Sequence, residues 1–247
     1  MDKQKEKPIV LSIAGFDPCG GAGVLADIKT FEQLHVRGMA VLTANTVQTE
    51  DTFSTIIWAD IDVVQKGIKE LMQRYMISVV KIGIVRDTTF LAAILTSVYA
   101  CNPEVFVIWD PVLKSSSGFT FFKADEMELL KGIIHKIDLL TPNFEEYQIL
   151  EQLLKDYFPN ALLIKGGHRK DQKGVDCLIQ MGRATDFHPQ VDRIYPKHGS
   201  GCVFSSAIAA HIACGSGLEE ACRQAKTYIE QFLNSHPSLL GFHYHAE

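Results

Sequence analysis

Residues 9–34 read IVLSIAGFDPCGGAGVLADIKTFEQL, and their reading decides the fold. The unbroken apolar run Ile9–Gly15 suits a strand buried on both faces. It ends in a glycine-rich turn. From Ala22 to Leu34 the residues Val24, Leu25, Ile28, Phe31 and Leu34 then fall on one helical stripe.

The same alternation continues along the chain. Strands are predicted at Val41–Val47, Val79–Ile84, Val105–Trp109, Asp138–Leu140 and Ala161–Lys165. Helices are predicted at Ile61–Met76, Thr88–Tyr99, Met127–Ile134 and from Asn143 to about Tyr157. Gly174–Met181 pairs with Ala184–His188 around Gly182-Arg183, and two helices, Cys202–Cys214 and Leu218–Asn234, close the chain. Alternation of this kind predicts an α/β fold with a mostly parallel central sheet and helices on both faces, a three-layer sandwich. No linker, repeat or low-complexity tract interrupts residues 1–247, which read as a single domain.

Composition narrows the function classes. The chain has 247 residues and a net charge of −5, with no basic stripe, so a nucleic-acid partner is not expected. No segment reaches the ~20 apolar residues of a bilayer span, and the apolar run Pro8–Gly15 reads as too short for a signal peptide, so a cytoplasmic protein without a membrane partner is expected. The six cysteines, 19, 101, 177, 202, 214 and 222, form no CxxC pair and read mostly as buried free thiols. His243 and His245 near the end read as solvated or loosely packed rather than as metal ligands.

Ligands of an open parallel sheet collect beyond the carboxyl ends of its strands. The unusual residues of this chain fall at those ends. AGFDPCGGAG (14–23) follows the first strand, and its glycines admit a close ligand or simply make a tight turn. His198-Gly199-Ser200-Gly201-Cys202 runs straight into an apolar helix and offers a row of N–H donors for a phosphoryl group, or a cap through Ser200. Between them lie Asp110-Pro111-Val112, Asn143-Phe144-Glu145-Glu146 and Lys165-Gly166-Gly167-His168. Asn143 and Glu146 share one helix face, as an ordinary capped first turn or as a water-mediated magnesium site, and Asp110 either carries charge for that site or merely accepts bonds in the Asp-Pro turn. Lys165 is either a phosphate contact or a solvated charge.

Together the pieces AGFDPCGGAGVLADIKTFEQL, KIGI, DPV, LLTPNFEE, KGGH and HGSGC occur in one order over nearly the whole chain. They resemble the hydroxymethylpyrimidine/phosphomethylpyrimidine kinases of thiamin biosynthesis, within the ribokinase-like fold. That resemblance implies phosphoryl transfer from ATP to a pyrimidine alcohol or its monophosphate, with Mg2+ as cofactor. It assigns the pyrimidine contact to Gln48 and other pocket positions to Gly15, Ala22, Asp27, Ile84 and Val112. Cys202 becomes the catalytic base beside the anion hole of Gly199 and Gly201. Lys165, Asn143 and Ser200 become phosphate and nucleotide contacts, and Asn143 and Glu146 the magnesium and phosphate motif, with Asp110 expected beside them to help hold magnesium through water. A helix start lowers a thiol below its usual ~8.5, so Cys202 is expected to titrate low.

Members of that family are often dimers, which makes a homodimer an expectation of the resemblance. Phe16 departs from the usual Ser or Thr, Ile82 and Ile84 from Thr and Met, and Ser200 from Thr. The stretch from Glu146 to Lys165 is shorter than usual. Two alternatives use the same residues: a pyridoxine or pyridoxal kinase, and a non-catalytic pyrimidine-binding protein.

Overall fold

The computed structural model describes residues 7–113, 126–168, 174–191 and 194–243. Nine strands form one sheet in the order β3-β2-β1-β4-β5-β6-β7-β8-β9. These are β1 (Ile9–Phe16), β2 (Arg37–Gln48), β3 (Phe53–Trp58), β4 (Ile77–Ile82), β5 (Phe106–Trp109), β6 (Leu139–Leu140), β7 (Ala161–Ile164), β8 (Asp176–Gln180) and β9 (Arg183–Phe187). From β2 to β7 all neighbours are parallel, while the edge pairs β2-β3, β7-β8 and β8-β9 are antiparallel, so that β3 and β8 run against the rest. The mostly parallel sheet expected from the sequence is borne out.

Helices α1 (Gly23–Gln33), α6 (Ser200–Ala213) and α7 (Leu218–Asn234) cover one face. Helices α2 (Ile61–Arg74), α3 (Thr88–Cys101), α4 (Glu126–Lys131) and α5 (Phe144–Asp156) cover the other. Period-two side-chain alternation sorts each central strand between the two cores. In β1, Leu11 and Ile13 join the α2/α3 core, whereas Val10 joins the α1/α6 core. In β4, Val80 and Ile82 take the first side and Val79 the second.

Strand β3 was not expected. It pairs only with β2 and is partly exposed along its length, so no core-facing apolar alternation marks it. The helix expected at Met127–Ile134 stops at Lys131, and a 3-10 turn follows at Ile134–Lys136. Cysteine burial is also lower than expected. Only Cys222 is fully buried, Cys214 is exposed and the other four are intermediate.

His243, expected to be loose, packs 4.7 Å from the Phe232 ring centroid and lies 3.0 Å from the Tyr228 hydroxyl. Burial pulls its imidazole down to about 4. His245 lies outside the described residues.

Candidate active site

Two neighbouring cavities open at the carboxyl ends of the parallel strands, with the first residues of α6 contributing to both. The strand order turns between β1 and β4, which leaves a crevice beside β1. The first cavity, about 160 Å³, sits there. The second, about 640 Å³, lies between β7, β8, α6 and α7.

Gly15, Ala22, Gln48, Ile84, Val112, Gly199 and Cys202 all line the first cavity. Phe16 and Phe53 line it too, and with Gln48 they give it an aromatic wall and one amide that both donates and accepts. Gly15 is required by space. A Cβ there would stand 2.9 Å from Ile84 Cγ2, and the strand register shifts between Ala14 and Gly15.

The turn before α1 is built around Asp17. Its carboxylate accepts from the backbone N–H groups of Cys19, Gly21 and Ala22, and His198 Nε2 lies 3.0 Å away. Burial works against the charged form. The His198 and Cys19 contacts and the Ala22 N–H outweigh it and hold the carboxyl at about 2. One ionised side chain thus ties the glycine-rich turn to the turn before α6. The sequence reading did not single out Asp17 or His198, although both lie inside quoted motifs.

Helix α6 begins at Ser200, two residues earlier than expected, with Gly199 as its left-handed N-cap at φ 71°. The first intrahelical bond runs from the Val203 N–H to the Gly199 carbonyl, so the N–H groups of Ser200, Gly201 and Cys202 point out of the helix start. Behind them, a Cβ on Gly201 would lie 3.0 Å from Lys165 Nζ. Ser200, Gly201, Lys165 and Asn143 line the second cavity.

Lys165 is no solvated charge. It lies 2.5 Å from Asp110, which also accepts from Thr141 and Ser205 at 3.1 and 3.0 Å. Burial would raise the Asp110 carboxyl, but Lys165 and then Lys81 hold it below the usual carboxylate range. Asn143 and Glu146 form a full capping box. The Asn143 side chain accepts from the Glu146 N–H at 2.9 Å, and Glu146 accepts from the Asn143 N–H at 2.8 Å. Burial lifts the Glu146 carboxyl to about 7 against the pull of Lys165, and Asp110 adds to the rise.

Two expectations are corrected. Asp27 does not line the cavity. It is fully buried, bonded to Lys81, Ser12 and Ser206. Cys202 is not a low-titrating thiol, because burial pushes it up to about 11 despite the favourable charge of Lys81. Lys81 itself, which lines the first cavity, went unread. The signal was a lone lysine in the apolar strand VVKI, where a buried ammonium demands a counter-ion.

An open parallel sheet whose acceptor-sized cavity meets a larger groove at a glycine-rich helix start is the architecture of the ribokinase-like small-molecule kinases. The comparisons place the chain more narrowly. It belongs to the phosphomethylpyrimidine kinase family, which matches residues 17–246. The hydroxymethylpyrimidine/phosphomethylpyrimidine kinase of Aquifex aeolicus is 34% identical over 94% of this chain and 96% of its own. That of Rhizobium meliloti is 29% identical over 92% and 91%. The crystal structure of phosphomethylpyrimidine kinase from Clostridium difficile 630 is 30% identical, with a TM-score of 0.74 over 90% of this chain and 98% of that one. A Bacillus subtilis pyridoxal kinase in its ADP complex, at 24% identity and a TM-score of 0.81 over 94% and 93%, shares the fold.

Proposed function

We propose that this chain transfers the γ-phosphoryl group of ATP to 4-amino-5-hydroxymethyl-2-methylpyrimidine, and then to the resulting monophosphate, for thiamin diphosphate synthesis. One observation carries the reading: the cavity holding Gln48 and Cys202 adjoins, at the start of α6, the groove holding Lys165. Gln48 suits an aminopyrimidine, since one amide satisfies a ring nitrogen and the neighbouring amino group together. Phe16 and Phe53 supply flat apolar contact for the ring. ATP takes the larger groove, with its phosphates toward Lys165, Asn143 and Ser200.

Phosphoryl transfer has a loose transition state, so catalysis is mostly positioning and charge neutralisation. The outward N–H groups of Ser200, Gly201 and Cys202 stand where the transferring group passes between the cavities. Cys202, at the acceptor side, takes the proton of the alcohol in its thiolate form, which it must reach against the burial that raises it.

The residues around Glu146 fit a hydrated magnesium ion. Two buried carboxylates, Glu146 and Asp110, repel one another with Lys165 as the ammonium beside them, and Glu146 is left to ionise near neutrality. Both already accept protein hydrogen bonds, so these residues would hold Mg2+ through water, and the ion would supply charge neutralisation of the ATP phosphates. Such a site needs Glu146 ionised. Magnesium affinity is therefore expected to fall as pH drops through about 7, by up to ~10-fold for each unit below it. Magnesium titrations of turnover at several pH values check this. Glu146→Gln should raise the magnesium requirement and flatten its pH dependence, and an unaltered titration would remove Glu146 from the role.

The function is tested with purified protein, MgATP and the hydroxymethylpyrimidine, following mono- and diphosphate by mass. Both products are expected. Phosphorylation of pyridoxal in a parallel tube, with the pyrimidine untouched, would transfer the protein to the B6 vitamers. No ATP consumption with either would leave a binding protein. The chain is expected to work with small molecules alone, without nucleic acid or membrane, in the cytoplasm and as a homodimer. Among the described residues no helix is long and apolar enough to cross a membrane.

A further inference from the structure

Lys81 sits near the middle of the sheet, on central strand β4, with no exposed surface. Its Nζ lies 3.0 Å from both oxygens of Asp27 on α1. Asp27 in turn accepts from Ser12 Oγ at 2.5 Å and Ser206 Oγ at 2.7 Å, which fixes its orientation from β1 and α6. Ser206 stands four residues beyond Cys202, on the same face of α6. Lys81, Gly83 and Cys202 line one cavity, and a Cβ on Gly83 would lie 3.4 Å from Lys81 Nζ.

A buried ion pair of this kind is poor scaffolding, because an apolar pair of similar volume is often as stable or more so. A charge that is expensive to bury, on a residue lining a reactive cavity, calls for a functional account. The groups acting on Cys202 come from several elements: Lys81 on β4 favours its thiolate, whereas Asp110 after β5 and Asp27 on α1 oppose it. Lys165, after β7, also feels the sulfur's charge.

We propose that Lys81, clamped by Asp27, is a positioning residue for phosphoryl transfer whose ammonium stabilises the Cys202 thiolate. This rests on Cys202 as the proton acceptor in the reading above. In the step it serves, the acceptor oxygen bonds to the γ-phosphorus as the bond from phosphorus to the departing ADP oxygen breaks. The alcohol proton passes to the Cys202 thiolate, the minor form at neutral pH, whose sulfur electron pair becomes the S–H bond. The thiol later returns its proton to water.

The two transfers then differ. An alcohol must lose a proton, whereas a phosphate monoester is already largely ionised at neutral pH, its second pKa being ~6. Loss of Lys81 should therefore slow phosphorylation of the alcohol more than phosphorylation of the monophosphate. A general packing defect would slow both alike.

The decisive measurement is alkylation of Cys202 by iodoacetamide across a pH series, on the full chain without substrates. The modified peptide is read by mass to separate it from the other five cysteines. Lys81→Met should raise the midpoint and lower labelling on the alkaline limb by ~10-fold for each unit moved. Asp27→Asn removes an opposing charge and leaves the ammonium, so it should lower the midpoint and speed labelling. Opposite signs are the signature, since a merely structural role moves both variants the same way. Should Lys81→Met not fold, the Lys81→Met/Asp27→Asn double variant buries no lone charge, and its midpoint should still exceed that of the unsubstituted chain. An unchanged midpoint in the folded lysine variant or the double variant, or equal signs for the single variants, overturns the proposal. No turnover enters this readout, so failure of the pyrimidine reading would register separately, in the product assay.

Discussion

Cys202→Ala is expected to lower phosphorylation of the pyrimidine alcohol by ~10²–10⁴-fold, the usual contribution of a positioned proton acceptor. Nucleotide affinity should stay as it was, because Cys202 lines the acceptor cavity and not the larger groove. The loss should therefore fall on kcat rather than on the Kd of ADP measured by calorimetry. Truncating one small side chain on a helix whose start is fixed by Gly199 leaves the N–H row in place, so residual catalysis should survive. The monophosphate, which needs no proton removed, should suffer less. Wild-type turnover of the alcohol by the alanine variant would remove Cys202 as acceptor and leave positioning alone to explain catalysis.

The thiol also shows how far sequence can be pushed. Its place at a helix start was legible from HGSGC followed by an apolar run, and the structure puts it at the third helical position. Its titration was not legible. A helix start favours a thiolate, but the depth of Cys202 and the sum of Lys81, Asp110 and Asp27 around it decide the outcome, and those groups lie 92 or more positions away in the chain. Charges that meet across a parallel sheet leave no mark in local spacing.

The same reason explains Asp27. It lies in a motif whose neighbours line the cavity, but helical rotation turns it into the sheet toward Lys81, Ser12 and Ser206. The cavity-lining glycines were readable because each stands at a locally marked place, a strand end, a turn or a helix start, even though the contacts that require them are long-range. Likewise the parallel core strands were readable from continuous apolar runs. Strand β3 was not, since an edge strand partly exposed along its length carries no one-sided pattern. Asn143 and Glu146 were legible both as a cap and as a charged site, and the structure makes the first plain. The capping box holds Glu146 in place beside Lys165 and Asp110, so the two readings are one arrangement.

Gly199→Ala should be nearly as damaging as loss of the thiol, by a different route. Gly199 has φ 71°, where an added Cβ costs ~1–2 kcal/mol. Worse, that Cβ would stand 1.9 Å from the Gly21 carbonyl oxygen and 2.7 Å from Ala22 Cα, backbone atoms that no rotamer change can move aside. The turn before α6 and the turn before α1 must therefore separate, against the Asp17–His198 contact that joins them. Separation carries the N–H groups of Ser200, Gly201 and Cys202 off the line of transfer, and misplacing a single such donor costs ~10²–10³ in rate. Turnover should fall at least that far in a protein that still folds, as circular dichroism and thermal unfolding would verify. Gly217→Ala is the matched control: it caps α7, has nothing within 4 Å of its added Cβ, and should leave turnover unchanged. Equal activity in the two variants would mean that the close approach of these turns plays no part in catalysis. Loss confined to Gly199 would tie the rate to the contact between backbone segments that lie 178 positions apart in the sequence.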